Sequence, residues 1–343
     1  MKTAVIIAVI CFLLSFFGAT FPGNTNQVFV SALSRVTGIV PFSLFEFLVC
    51  LGFIFIIFQL GRILALILKK NPKAALSPLK SLITFICLLY SAFVLIWGLN
   101  YNNLPLHYRL GLDRQPQDAQ ELARVGRLLA GLANEAREKT RVDENGAFYL
   151  HLGFEDIFER AHYGFDAVSS DFGFLEGSFG PPKPLWISPL LSYTFITGIY
   201  SPFTGEANVN INTPPATVIF TTMHEMAHQR GIAREDEANF IAFLTSINHP
   251  DPDFRYSGYL NALNYVRRAL ATVAPPYLDE VNAMLSEGVR LDINQQITFW
   301  NAYRGRTQEI ANRINDNYLR FNGIAEGTLS YGLVVDLLLA YFQ

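Results

Sequence analysis

Three long apolar stretches dominate the first hundred residues, over about 4–20, 43–68 and 82–99. Lys2 precedes the first, and only Glu46, Gln59 and Arg62 interrupt the second. A helix needs about 20 mainly apolar residues to cross the hydrocarbon core of a bilayer, so each stretch is a candidate span. A cleaved signal peptide competes for the first, whose short basic start and Phe16-Phe17-Gly18-Ala19-Thr20 end suit one. The length of the other two argues against buried core helices.

The lysines set an expected topology. Lys69, Lys70, Lys73 and Lys80 crowd the loop between the second and third stretches, whereas the loop between the first and second holds only Arg35. Positive loops stay in the cytoplasm. The Lys loop and Lys2 are therefore expected inside, and the first loop and everything after Leu99 outside. Trp97 and Tyr101 close the third stretch as an interfacial aromatic belt would. Glu46 and Arg62 lie within the second, where charge hints at function, although Arg62 can also snorkel to the cytoplasmic surface.

From Tyr101 the pattern becomes that of a globular domain, giving an expected division into a transmembrane region, 1–100, and an extracytoplasmic domain, 101–343. An amphipathic helix is predicted over 116–141, with Leu122, Val125, Leu129 and Leu132 on one face, and another over 154–168. A stretch rich in Gly, Pro and aromatics follows, 171–184. Two β-like runs, 193–200 and 207–212, then flank a hairpin turn at Ser201-Pro202-Phe203-Thr204-Gly205. Thr213-Pro214 opens a helix, with Thr as N-cap and Pro at its first position. That helix runs to about Arg230 and stops at Gly231. Further helices are predicted over 234–247, 254–273, 277–286, 293–321 and from 329 to the end, the last packed on the domain.

Composition narrows the class. Hydrophobic residues make up 51% and charged residues 16%, too apolar for an ordinary soluble protein and too polar for one wholly within the membrane. The net charge of −3 provides no basic field, so nucleic acid is not an expected partner. Cys11, Cys50 and Cys87 all lie in the apolar third, which leaves neither a disulfide framework nor a cysteine metal cluster for the domain.

The chemistry concentrates at His224-Glu225-Met226-Ala227-His228. Histidines at i and i+4 of a helix share one face and can hold one zinc ion. Glu225 beside them can act as general base on a water that the metal activates. Chance places such a pattern in about one in two hundred chains of this composition. A catalytic zinc takes three protein ligands and keeps one position open. Gly231 can turn the chain back, so Glu235, Asp236 and Glu237 on the next helix are the candidate third ligands. Residues two apart point about 200° apart on a helix, so Glu235 and Glu237 cannot both face the metal. Glu235 has small Ala238 and polar Asn239 one turn on, and Asn239 can there support a histidine ligand.

The Glu-x-x-Ala-Asn pattern after His-Glu-x-x-His resembles the glutamate-type zinc peptidases, the gluzincins, among them membrane-embedded prenyl-protein and heat-shock proteases. That resemblance implies Glu235 as ligand and Asn239 as its support. The gap from His228 to Glu235 is much shorter than in most of that group and closer to peptidases that turn at a glycine. More broadly, the chain resembles a bacterial multi-pass membrane family known as domain of unknown function 3810. Trp97-Gly98-Leu99-Asn100-Tyr101, Ser201-Pro202-Phe203-Thr204-Gly205-Glu206-Ala207-Asn208 and His224-Glu225-Met226-Ala227-His228-Gln229-Arg230-Gly231 carry that likeness.

The expected fold is mainly α, three transmembrane helices followed by a zincin-like, mostly helical α+β domain with a small β-sheet. The expected function is that of a membrane-anchored zinc peptidase with a peptide or protein substrate. Its metal ligands would be His224, His228 and Glu235, with Glu225 as base. A zinc amidase acting on cell-wall peptides would use the same centre. A non-catalytic zinc sensor or scaffold is disfavoured by Glu225, since a structural site needs no base and favours a fourth ligand. The run 206–212 could be the edge strand on which a peptide lies, and Tyr256, Tyr259 and Tyr331 are possible oxyanion donors. His107, His151, His162 and His249 have no partner at ligand spacing.

Overall fold

The computed structural model describes residues 1–21, 25–113, 118–327 and 333–343. It is mostly helical. The N-terminal part holds α1 (Lys2–Phe16), α2 (Thr25–Thr37), α3 (Leu44–Leu68) and α4 (Pro72–Ile96). Helices α3 and α4 have 25 residues each and are long and apolar enough to cross a membrane. The first apolar stretch is not the third such helix. It forms only the 15 residues of α1 and ends before Gly18, whose φ of 74° lies outside helical space. At 1.5 Å per residue α1 is about 22 Å long, short of the roughly 30 Å hydrocarbon core. It packs along α4, with Cys11 buried opposite the Ser91 carbonyl.

The turn 69–71 that joins α3 to α4 holds only Lys69 and Lys70, because the expected loop residues Lys73 and Lys80 lie in the first turns of α4; these lysines still sit at one end of the helical hairpin and the domain at the other. At the domain end α3 is finished by two carboxylates. Glu206 accepts hydrogen bonds from the Leu44 and Phe45 N–H groups, and Glu46 accepts from Trp186 and Ile187. Glu46 is thus a first-turn residue bound to the domain, while Arg62 donates to Gln59.

The domain comprises α5 (Leu106–Leu110), α6 (Ala119–Arg137), α7 (Gly153–Arg160), α8 (His162–Ser169), α9 (Ser188–Ser192), α10 (Pro215–Gln229), α11 (Glu235–Ile247), α12 (Pro252–Val273), α13 (Pro275–Ala283), α14 (Glu287–Tyr303), α15 (Arg306–Phe321) and α16 (Val334–Tyr341). Its core forms where α6, α10, α11 and α12 pack together, and α16 closes it with Val334, Val335, Leu337, Leu338 and Leu339 buried. The 116–141 helix begins, within the described residues, at Ala119. Pro116, Leu329 and Tyr331 lie outside them.

Three strands make a mixed sheet in the order β1 (Lys183–Pro184), β3 (Glu206–Val209), β2 (Gly198–Ser201). The expected hairpin forms, with β2 antiparallel to β3 and Gly205 turning the chain at φ 66°. The run from Glu206 is not an edge strand, because β1 pairs with it on its other side. The edges are β1 and β2. Two helix boundaries also differ from expectation. Helix α10 starts at Pro215, and the Thr213 hydroxyl donates to the Asn210 carbonyl instead of capping it. The 293–321 helix is two helices, broken at Arg304 and Gly305, whose extended backbone ends the helical hydrogen bonding.

Candidate metal centre

Helix α10 is buried on nearly every side. Val218, Ile219, Phe220, Met223, Met226 and Ala227 are all buried, so the helix runs through the core and takes its polar residues inside with it. His224 and His228, one turn apart, bring their rings to 4.6 Å between centroids and perpendicular to each other. Gly231 ends the helix with φ 82°, a conformation that costs a side-chain-bearing residue energy. The turn it makes points the Ile232 carbonyl back to His228, whose Nδ1 donates to it at 2.6 Å. Glu235 then opens α11, and its Oε2 lies 3.1 Å from His224 Nε2 and 3.7 Å from His228 Nε2. One turn on, Asn239 Oδ1 accepts from His224 Nδ1 at 2.9 Å.

These contacts fix both tautomers. The Ile232 carbonyl can only accept, so His228 carries its proton on Nδ1, and Asn239 Oδ1 imposes the same on His224. Each Nε2 therefore offers a lone pair, and the Glu235 carboxylate offers another. The ligand atoms of all three lie within 4.8 Å of one another. Three electron-rich atoms so close, in residues largely buried, repel unless a proton or a cation sits among them. Without a cation the protein shares protons. Burial alone would disfavour a charged His228, yet hydrogen bonding and attraction to Glu235 raise its pKa to about 9. Burial pushes Glu235 up, and the two histidines more than reverse this and hold it far below the usual carboxylate range. A divalent ion would replace those protons, and the donor set of two imidazoles and one carboxylate fits zinc.

Glu225 sits beside this cluster, 4% exposed, with no hydrogen-bond partner for Oε2 among the described residues. Burial raises its pKa to about 7, with His224 and His228 opposing. Gly198 of β2 makes the room it occupies, since a Cβ there would stand 2.3 Å from Glu225 Oε1. In the β2–β3 ladder the Asn210 N–H bonds the Thr197 carbonyl, so Gly198 and Tyr200 direct their backbone groups away from β3. The Tyr200 N–H thereby reaches the Glu225 carboxylate.

An aromatic wall completes the site. The Trp97 ring stands edge-on to His228 at 5.7 Å and 4.7 Å from Tyr200, whose buried hydroxyl has no partner among the described residues. The Tyr101 and Tyr318 hydroxyls are 3.2 Å apart, and Glu235 contributes to raising the pKa of both, after burial. Trp97 and Tyr101, only 4% and 6% exposed, are therefore not a membrane-interface belt. They are the junction of α4 with the metal centre.

The structure thus brings together His224, Glu225, His228, Glu235 and Asn239. Glu237 turns elsewhere and accepts from the Leu106 N–H at 2.8 Å. Tyr256 donates to Asp292, which also binds Arg137, and Tyr259 packs on Phe243, so neither joins the site. Residues missed from sequence are Trp97, Tyr101, Tyr200 and Tyr318, together with the buried pair Asn26 and Asn100. Asn100 donates to Asn26 at 3.1 Å and lies against Gly231. The available signal was the polar, aromatic ending of the third apolar stretch. A family described as a protein of unknown function, DUF3810, matches residues 23–339. The chain belongs to that family. No curated protein and no solved structure matches it. In this DUF3810 chain the matched span takes in α2 to α15, most of α16 and every residue of the centre.

Proposed function

We propose that the chain is a membrane-anchored zinc peptidase of the glutamate-ligand type, with its domain outside the cytoplasm. His224, His228 and Glu235 would hold the ion, and Glu225 would be the base. The observation that carries this reading is the convergence of three lone-pair donors beside a buried carboxylate with an unengaged oxygen. A purely structural site would favour a fourth ligand instead of such a group.

Zinc, when bound, supplies a Lewis acid that polarises a carbonyl and acidifies water. The chain's own residues do the remaining work. Asn239 and the Ile232 carbonyl keep both imidazoles in the binding tautomer. Glu225, buried beside the two histidines, can take a proton and return it to a leaving amine. Trp97 and Tyr200 limit water on the His228 side. The edge of β2 faces the carboxylate, so an extended peptide paired there would bring its backbone to Glu225. The lipid bilayer is the expected setting, through α3 and α4.

The test joins metal content to activity. The full chain should hold about one zinc ion per molecule. Glu225→Gln should keep the metal and abolish peptide hydrolysis, because it removes only the base. A Gln variant that cleaves as fast as the wild type would refute the mechanism.

A further inference from the structure

Helix α15 exposes Ile310, Ile314 and Phe321 by 58, 65 and 67%. At 100° per residue the three fall within about 40° of one another and make a single apolar stripe. Arg306, Arg313 and Arg320, spaced seven apart and exposed, form a second row along one flank of it. An apolar stripe edged by arginines suits a helix lying in a membrane interface, with cations among phosphates and apolar side chains below them.

The position of α15 points to the same partner. Its last turn runs beside α4, with Tyr318 6.3 Å from Phe93 and Phe321 6.4 Å from Tyr90 between ring centroids. Tyr90 precedes the end of α4 at Ile96 by about 9 Å of helix rise. Phe321 is therefore level with the apolar body of α4, not with the domain above it. The chain then turns through Gly323 and returns Ile324 to the cluster of Trp97, Tyr101 and Ala233.

We propose that α15 lies in the lipid leaflet at the domain end of α4. Ile310, Ile314 and Phe321 enter the acyl region, and Arg306 and Arg313 contact lipid phosphates, while Arg320 is held by Asp316 and the Ala325 carbonyl. This rests on the membrane reading of α3 and α4 given above. Its consequence is positional. Tyr318 of the same helix bonds Tyr101 at the metal centre, so α15 ties that centre to the bilayer surface.

The experiment uses the full chain with Cys11, Cys50 and Cys87 replaced by alanine, reconstituted in phosphatidylcholine–phosphatidylglycerol nanodiscs. An environment-sensitive fluorophore is attached in turn to Ile310→Cys, Ile314→Cys, Asn312→Cys on the opposite face, and Leu89→Cys on exposed α4. Zinc content of each labelled protein checks its fold. Lipids brominated on their acyl chains should quench the labels at 89, 310 and 314 several-fold more than the label at 312. Quenching at 89 with none beyond the 312 level at 310 and 314 overturns the α15 proposal and leaves the membrane reading standing. No quenching at 89 removes both. A blue-shifted but unquenched label at 314 means that protein, not lipid, covers the stripe, and also overturns it.

Discussion

Asn239 offers the sharpest test of whether the centre is built around a metal. The residue is 4% exposed, and its Oδ1 accepts from His224 Nδ1 at 2.9 Å. Asn239→Leu keeps nearly the same shape and leaves that buried N–H without an acceptor. Such an orphaned donor costs about 1–3 kcal/mol. At about 1.4 kcal/mol per decade this is a loss of roughly 5- to 150-fold in any equilibrium that needs the imidazole so oriented. Support lost behind a metal-bound histidine typically weakens binding by about 10- to 100-fold, a matching range. The Nδ2 of Asn239 has no partner among the described residues, so Asn239→Asp removes an unused donor and keeps the needed oxygen. Zinc affinity is read by competition with a chromophoric chelator on the detergent-solubilised full chain, with thermal midpoints in excess zinc as the fold check. The Leu variant should bind about 10- to 100-fold more weakly, and the Asp variant within about threefold of wild type or more tightly. A folded Leu variant with wild-type affinity would mean that His224 does not bind the ion through the tautomer assigned here.

Other outcomes follow from neighbouring contacts. Glu235→Ala should lose zinc, whereas Glu237→Ala should retain it and destabilise the fold by about 1–2 kcal/mol through the orphaned Leu106 N–H, as equilibrium dialysis and thermal unfolding would read. A reporter fused after Gln343 that works only in the cytoplasm should be inactive and an export-dependent one active; the reverse would put the centre on the cytoplasmic side. His249 is 1% exposed, accepts from the Asp251 N–H and is held neutral to a pKa of about 4 by burial, with Arg160, Arg255 and His162 adding to the effect. The unfolded chain takes up that proton near pH 6.5, so stability should fall as pH drops from 6.5 to 4, by at most about 3 kcal/mol, and His249→Asn should flatten this part of the thermal-unfolding profile measured in chelator.

How much of this was legible in the sequence depended on whether the signal was local. The two long apolar helices, the paired histidines and the Glu235–Asn239 spacing are periodic features of single helices, and the structure forms them, although the helix of the third stretch begins at Pro72 instead of Leu82. Helix α2 was missed because it buries polar residues, Asn26, Ser34 and Thr37, which a search for apolar faces passes over. Ser34 accepts from the Gly180 N–H, and Thr37 donates to the Thr204 carbonyl, so the burial is satisfied by hydrogen bonds to distant loops. The order of the sheet was equally hidden. β1 is two residues of a proline-rich segment, and only its pairing makes β3 central. Trp97 misled for a related reason: an aromatic residue ending an apolar run looks the same in a lipid headgroup layer and against a histidine.

The same contacts argue that the two long apolar helices and the candidate metal centre are one structural unit. Glu206 is buried with Lys183, whose ammonium also donates to the Thr37 and Phe42 carbonyls. An ion pair taken out of water is costly unless its remaining donors and acceptors are met. Here they are met by the first turn of α3 and the end of α2, so the pair is favourable only while the helix stays docked. At the other span, Asn26 donates to the Ile96 carbonyl and accepts from Asn100, and Asn100 lies against the glycine that turns His228 toward Glu235. The domain-side ends of α3 and α4 are thus both bound by side chains of the domain or of α2. A domain on a flexible tether would need none of these bonds. Their presence fixes the position and orientation of the His224–Glu235 cluster relative to α3 and α4.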